Sequence, residues 1–294
     1  MKLRSMSARV AFAGATTALI AGGLVAATNT AAHAETGVAQ YNCTNPVTTD
    51  VIPVAVSIGA DLSGLPPLPT GFEAPAGSLP VDVSLTVPEQ VVAALKANGI
   101  NSIGLSGSDV KLPFGNAQVP LTGVEADPVA LPDSGDLVFP FQDNGSTTVT
   151  NGSFKLPDPG TQDVKMPASF TTTADTNLIP LPLTCTINGE QSTITSLTVI
   201  KQGSTLTATA PKSIKKGKTL KIAAKVAGAN VPATGKVVAK EGKKVLGTGA
   251  LKSGKATISV KKLKPGTHNI VLSYAGDKRT NASNTYGVIV KVKK

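Results

Sequence analysis

This sequence predicts a mostly β fold in two parts, a β-rich domain with one short helix followed by a β-sandwich, and three observations lead there. Apolar residues recur in short runs of period two, separated by turn formers that include 29 Gly and 21 Pro. Only one segment carries signals for both ends of a helix. The charge also changes sign near residue 200. Residues 35–200 hold Lys96, Lys111, Lys155 and Lys165 against sixteen Asp/Glu, whereas residues 201–294 hold 21 Lys/Arg against Glu241 and Asp277 alone. Such a split marks two units with different surroundings, the second suited to an anionic partner.

Residues 1–34 read as a secretory signal peptide, with Lys2, Arg4 and Arg9 at its start, an apolar stretch over 10–27, and the small pair of Ala32-His33-Ala34 at the cleavage site. Nothing after it approaches the ~20 uninterrupted apolar residues of a transmembrane helix. An exported protein, secreted or held at the cell wall, is expected. The chain has two cysteines, Cys43 and Cys185. Outside the cytosol such a pair is expected to bridge, the other reading being two buried thiols. The bridge would staple the first strand of the acidic block to its last. In the chain-entropy model it is worth about 4–5 kcal/mol. Two cysteines and a single mature histidine do not make an ordinary metal site, and no cofactor is expected.

In the acidic block, residues 35–195, the proline-rich segment 62–80 reads as an extended loop. Val81-Asp82-Val83-Ser84-Leu85-Thr86 alternates as a half-buried strand does, and 118–121, 137–139 and 169–172 read as further short strands. The helix lies between them. Thr86 and Glu89 have capping-box spacing, Pro88 falls in the first turn, and Asn98-Gly99 supplies the stop. Val91, Val92, Leu95 and Ile100 are expected to cover a sheet face. The oxygen-rich runs Asp133-Ser134-Gly135-Asp136 and Asp143-Asn144-Gly145-Ser146 lack the ligand spacing of a calcium loop and read as turns. Tyr41-Asn42-Cys43-Thr44, the proline-rich stretch, Val87-Pro88-Glu89, Leu95-Lys96-Ala97-Asn98-Gly99-Ile100, Ser106-Gly107 and the late cysteine occur in that order. In this the block resembles a secreted actinobacterial family of unknown function that often precedes immunoglobulin-like modules. The resemblance implies no activity and transfers no functional residue.

In the basic block, residues 203–294, strand-like runs occupy 205–209, 220–226, 236–239, 256–260, 268–274 and 286–292, with turns at 215–218, 240–243 and 264–267. Strands this short and this regularly spaced predict a Greek-key sandwich. Ala233-Thr234-Gly235-Lys236, Val245-Leu246-Gly247, Gly254-Lys255-Ala256-Thr257, Leu263-Lys264-Pro265-Gly266-Thr267-His268 and Tyr274-Ala275-Gly276-Asp277 follow one another in order. The block thereby resembles the bacterial immunoglobulin-like domains of surface and secreted proteins. That resemblance implies a sandwich fold and a spacer or adhesive role without catalysis. On the motif strand His268, Ile270, Leu272 and Tyr274 share a face, so His268 reads as a core-edge histidine with a backbone partner, and Gly276-Asp277 as a turn.

The lysines carry the functional expectation. Those alternating with apolar residues, such as Lys221, Lys225, Lys236 and Lys291, belong on outer strand faces. Lys215, Lys216, Lys218, Lys243, Lys244, Lys261 and Lys262 belong to turns and are the candidate anion-binding residues. A few edge lysines suffice to block strand-to-strand aggregation, and this excess goes further. Two partners fit: an anionic cell-wall polymer, or extracellular nucleic acid bound through its backbone. Scarce aromatics, 3% of the chain, leave little for base stacking or for a sugar cleft. A hydrolase in the acidic block is the remaining alternative. Against an enzyme, the sequence lacks a nucleophile elbow, a zinc-protease helix motif and a phosphate loop. A Lys–Asn isopeptide would need Glu241 or Asp277 buried as its acid. Nothing in the sequence sets an oligomeric state.

Overall fold

The computed structural model describes residues 35–294 other than 47–49, 61, 63–64, 80, 142–148 and 285–286. The signal-peptide reading, the Asp143-Ser146 turn and Tyr286 therefore lie outside the described residues. Strands dominate, with one helix, Glu89–Ala97, among the described residues.

The acidic half has two main sheets. The larger runs, edge to edge, through Leu137–Pro140, Asp82–Val87, Val51–Ala60, Glu35–Thr44, Pro180–Ile187, Ser169–Thr176, Ser102–Asp109 and Ala126–Ala130. The smaller runs through Thr150–Asn151, Ala117–Thr122, Lys111–Phe114, Gly160–Lys165, Thr193–Ile200 and Leu68–Pro69. Both feed one core, to which Tyr41, Ile58, Val83 and Phe170 come from the first and Phe114, Val164, Leu197 and Val199 from the second. The sheets approach closely at Gly37, where a Cβ would lie 2.7 Å from Ile194 Cγ1. The described residues of segment 62–80 are largely loop, with two-residue strands at Leu68–Pro69 and Glu73–Ala74. Pro180 and Pro182 sit where their strand pairs with Ser169–Thr176 on one side and has outrun Glu35–Thr44 on the other, a position that tolerates a missing N–H.

The helix forms where expected, but its cap differs. Thr86 remains in a strand, Pro88 is the N-cap with no side-chain cap bond, and the Glu89 amide donates instead to Asp136 Oδ1 at 2.8 Å. A carboxylate from a distant turn thus replaces the expected capping box. Gly99, at φ +79°, ends the helix, and Val92 and Ile100 are buried.

The basic half packs a three-stranded sheet, Ser204–Thr209, Leu220–Gly228 and Lys255–Val260, against a larger one. The larger runs through Ser213–Lys215, Val288–Lys293, Gly266–Tyr274, Lys236–Glu241 and Lys244–Ala250, with Ser283–Asn284 on Gly266–Tyr274. Leu220, Ile222, Val237, Ile258, Ile270, Leu272 and Val290 are completely buried between them. Ser213–Lys215 and Lys244–Ala250 were not expected as strands. Lys215 and Lys244 accordingly stand on strands rather than in turns.

Candidate functional site

The seven candidate lysines come from three separate stretches, and strand register brings them together. Lys215 is opposite Lys293, and the Lys216 amide donates to the Lys293 carbonyl at 2.9 Å. Leu220 pairs with Val260, which sets Lys218 beside the start of the segment holding Lys261 and Lys262. Gly266 pairs with Val292, and His268 Nδ1 lies 2.9 Å from Glu241 Oε1, just before Lys243 and Lys244. All seven are exposed and occupy one pole of the sandwich, with Lys264, Lys293 and Lys294 beside them. Glu241 is the acid at this pole among the described residues, and its carboxylate faces His268. Lys262 holds φ +59°, a left-handed conformation that costs a residue with a Cβ about 1–2 kcal/mol.

His268 is the core-edge residue expected, 12% exposed, with Nε2 2.8 Å from the Lys264 carbonyl. That bond, helped by Glu241 and opposed by burial, raises its pKa above the ordinary 6.5. Glu241 is thereby engaged with a histidine.

The opposite pole meets the acidic half. Gln202 is fully buried, donates from Nε2 to the Val231 carbonyl at 2.6 Å, and accepts at Oε1 from the Asn230 amide at 2.7 Å and the Val231 amide at 3.1 Å. Its backbone bonds to Arg279 and Asn281. Asn230 Nδ2 donates to the Thr70 carbonyl at 3.2 Å, and a Cβ on Gly71 would overlap Val231. Lys278 and Arg279 both reach Asp158, whose carboxyl is held below its ordinary range chiefly by the Lys278 hydrogen bond. Asp277 orders the loop carrying these two cations. It accepts from the Thr234 amide at 2.7 Å, the Thr234 hydroxyl at 2.6 Å, and the Arg279 and Thr280 amides at 2.8 and 2.6 Å. Burial works to raise its pKa, but these donors outweigh it and hold the carboxyl far below the usual range. Gly276-Asp277 is the turn expected; the sequence did not reveal that this turn builds the joint.

Cys43 and Cys185 are bonded, 142 residues apart in sequence and directly opposite on neighbouring strands. The bridge does not reach the last strand of the acidic half as expected, because Thr193–Ile200 follows and belongs to the other sheet. Beside it the Tyr41 ring meets Phe170 edge-on at 5.0 Å and its hydroxyl donates to the Pro167 carbonyl at 2.7 Å.

A feature missed by sequence reasoning lies inside the acidic half. A cavity of about 270 Å³ opens between the small sheet and segment 62–80, lined by Leu62, Leu68, Phe72, Leu112, Phe114, Phe154, Leu156 and Leu197 among others. Among the described residues no three His, Cys, Asp or Glu side chains are grouped closely enough to hold a metal ion, and no helix is long and apolar enough to cross a membrane.

A family of unknown function (DUF6801) matches residues 40–195, and the Bacterial Ig-like domain (group 3) matches residues 206–293. Among curated proteins none matches the chain. Similar solved structures include fibronectin(III)-like modules of CbhA from Clostridium thermocellum, at 16% identity over 80% of this chain and 94% of that one, with a TM-score of 0.28. The β-glucuronidase of Ruminococcus gnavus is 8% identical over 87% of this chain and 46% of its own, with a TM-score of 0.21. Neither likeness is close enough to bear on function.

Proposed function

Because the chain belongs to the family of unknown function DUF6801 and carries a bacterial Ig-like domain after it, we propose a non-enzymatic, exported protein whose Ig-like domain holds the acidic domain on an anionic wall polymer. In this reading residues 1–34 are removed on export, residues 35–195 are the presented domain, and residues 203–294 are the tether. The observation that carries it is the gathering of Lys215, Lys216, Lys218, Lys243, Lys244, Lys261 and Lys262 on the pole opposite the joint. A polymer bound there meets many cations while the acidic domain, which would repel it, stays at the other end. The pole offers ammonium groups and no aromatic face among its described residues, which favours a phosphate-rich polymer over single-stranded nucleic acid read by stacking. The disulfide is compatible with an extracellular location.

Retention on purified cell walls tests the reading, with wall phosphate removed in one arm and DNA offered in another. Screening shortens the reach of these charges from about 8 Å at physiological ionic strength to about 3 Å at 1 M salt. Retention should therefore fall steeply with salt. Replacing Lys215, Lys216 and Lys218 together with Gln should weaken it several-fold, with thermal stability changed by less than about 0.5 kcal/mol. Retention indifferent to salt and to this triple change would leave the lysines as a solubility device.

A further inference from the structure

We propose that the acidic half binds a single aliphatic chain in the cavity beneath segment 62–80, taken from a free neutral or cationic amphiphile. The cavity walls are apolar apart from Ser78, Asn151 and Thr195, and the first two of these are already engaged. Asn151 is fully buried, yet its Nδ2 donates to the carbonyls of Pro75 at 2.8 Å and Gly152 at 2.9 Å, and its Oδ1 accepts from the Leu79 amide at 2.7 Å. Ser78 donates to the Pro75 carbonyl at 2.7 Å. Among the described residues no charged side chain lines the space. A ligand group placed inside therefore finds little beyond the Thr195 hydroxyl to partner a polar atom and must itself be mainly apolar.

Size sets the length of the chain. At about 30 Å³ per water-sized heavy atom, 270 Å³ holds about nine atoms, a chain of roughly eight to ten carbons. The way in is marked by Leu65 and Phe72, each 36% exposed while lining the cavity. A polar head would remain there in water. Sixteen acids against four lysines across residues 35–200 give this half a net negative charge, which on balance disfavours a carboxylate head. A membrane lipid's tail is longer than the cavity, and an anionic bilayer would be repelled, which points to a free amphiphile.

Calorimetric titration of residues 35–294 with 1-alkanols tests this. Each added methylene should tighten binding about fourfold, from hexanol until the cavity fills near decanol, after which affinity should level off. Decanoate should bind about tenfold more weakly than decanol at low salt, the gap closing as salt rises. Ala74→Leu and Ala60→Leu, which build into the cavity, should each weaken decanol binding more than tenfold while the melting temperature holds or rises. The lysine triple variant should bind decanol unchanged. Absence of saturable binding by the folded chain would overturn the proposal. So would affinity that keeps rising past tetradecanol, the mark of surface partitioning, and the wild-type length series decides this even should the variants not fold. Phosphatidylcholine vesicles should not compete with decanol; competition would overturn the free amphiphile in favour of a membrane lipid.

Discussion

The basic half buries Leu220, Ile222, Ile258, Ile270 and Leu272 completely and contains no cysteine, whereas the acidic half has a disulfide and keeps about 270 Å³ unfilled. Both are β-sheets closed over a single core, so the difference lies in what else each must do. The sandwich packs its large apolar residues closely, and the space it does leave is a groove open to solvent, lined by Thr207, Ala224, Lys252 and Lys255 among others. The acidic half forgoes that packing beneath a proline-rich segment and is held by a covalent link elsewhere. In the proposed reading, a closely packed support and a hollow body joined to it would divide attachment from recognition.

The largest expected effect would separate the two halves outright. Replacing Cys43 and Cys185 together with Ser should destabilise the acidic half by about 4 kcal/mol and leave the basic half unchanged. Calorimetry would then show two transitions, the lower one belonging to the acidic half. A single transition that moves as one would mean the halves unfold together and the contrast is only apparent. Next is the joint. Gln202→Ala leaves the Asn230 and Val231 amides without their acceptor, for an expected loss of about 1–3 kcal/mol. By the same argument, the fragment 202–294 should be more stable than 203–294 by a similar amount, as read by urea denaturation of the two fragments. The smallest effect is a pH dependence specific to the basic half. His268 titrates above 6.5 in the fold, so protonation favours the folded state. Its contribution is complete below 6.5 and is lost as pH rises through the raised value, whereas Asp277, held low, keeps its contribution until strongly acid pH. His268→Gln should flatten the loss on the alkaline side, checked by melting temperatures between pH 5 and 9; an unchanged slope would place the titration elsewhere.

Much of the fold was legible because it is written locally. Alternation marked 81–86 and 220–226, which became the strands Asp82–Val87 and Leu220–Gly228, and Asn98-Gly99 gave the helix end. Lys244–Ala250 escaped because its middle is Gly247-Thr248-Gly249, which has no apolar rhythm. Those glycines answer to a neighbour: a Cβ on Gly249 would lie 2.9 Å from Ile258 Cγ1, and one on Gly247 3.0 Å from the Ser259 carbonyl. Ser213–Lys215 is three residues long and exists by pairing with a strand more than seventy residues later. The capping carboxylate of Asp136 is likewise remote from its helix. The lysines were visible one by one, but their convergence depends on register. The cavity wall is assembled from residues 60 to 197 and left no local trace.

The joint around Gln202 also determines how the molecule would bear tension. Its lysine pole and its contact with the acidic half stand at opposite ends of the same strands, so a pull between them runs along those strands. The ladder hydrogen bonds of an antiparallel pair are perpendicular to that direction. They would take the strain together rather than peel apart one after another, and Gln202, Asn230 and the Asp158 ion pairs, lying in the line of pull, would give way before the sandwich does.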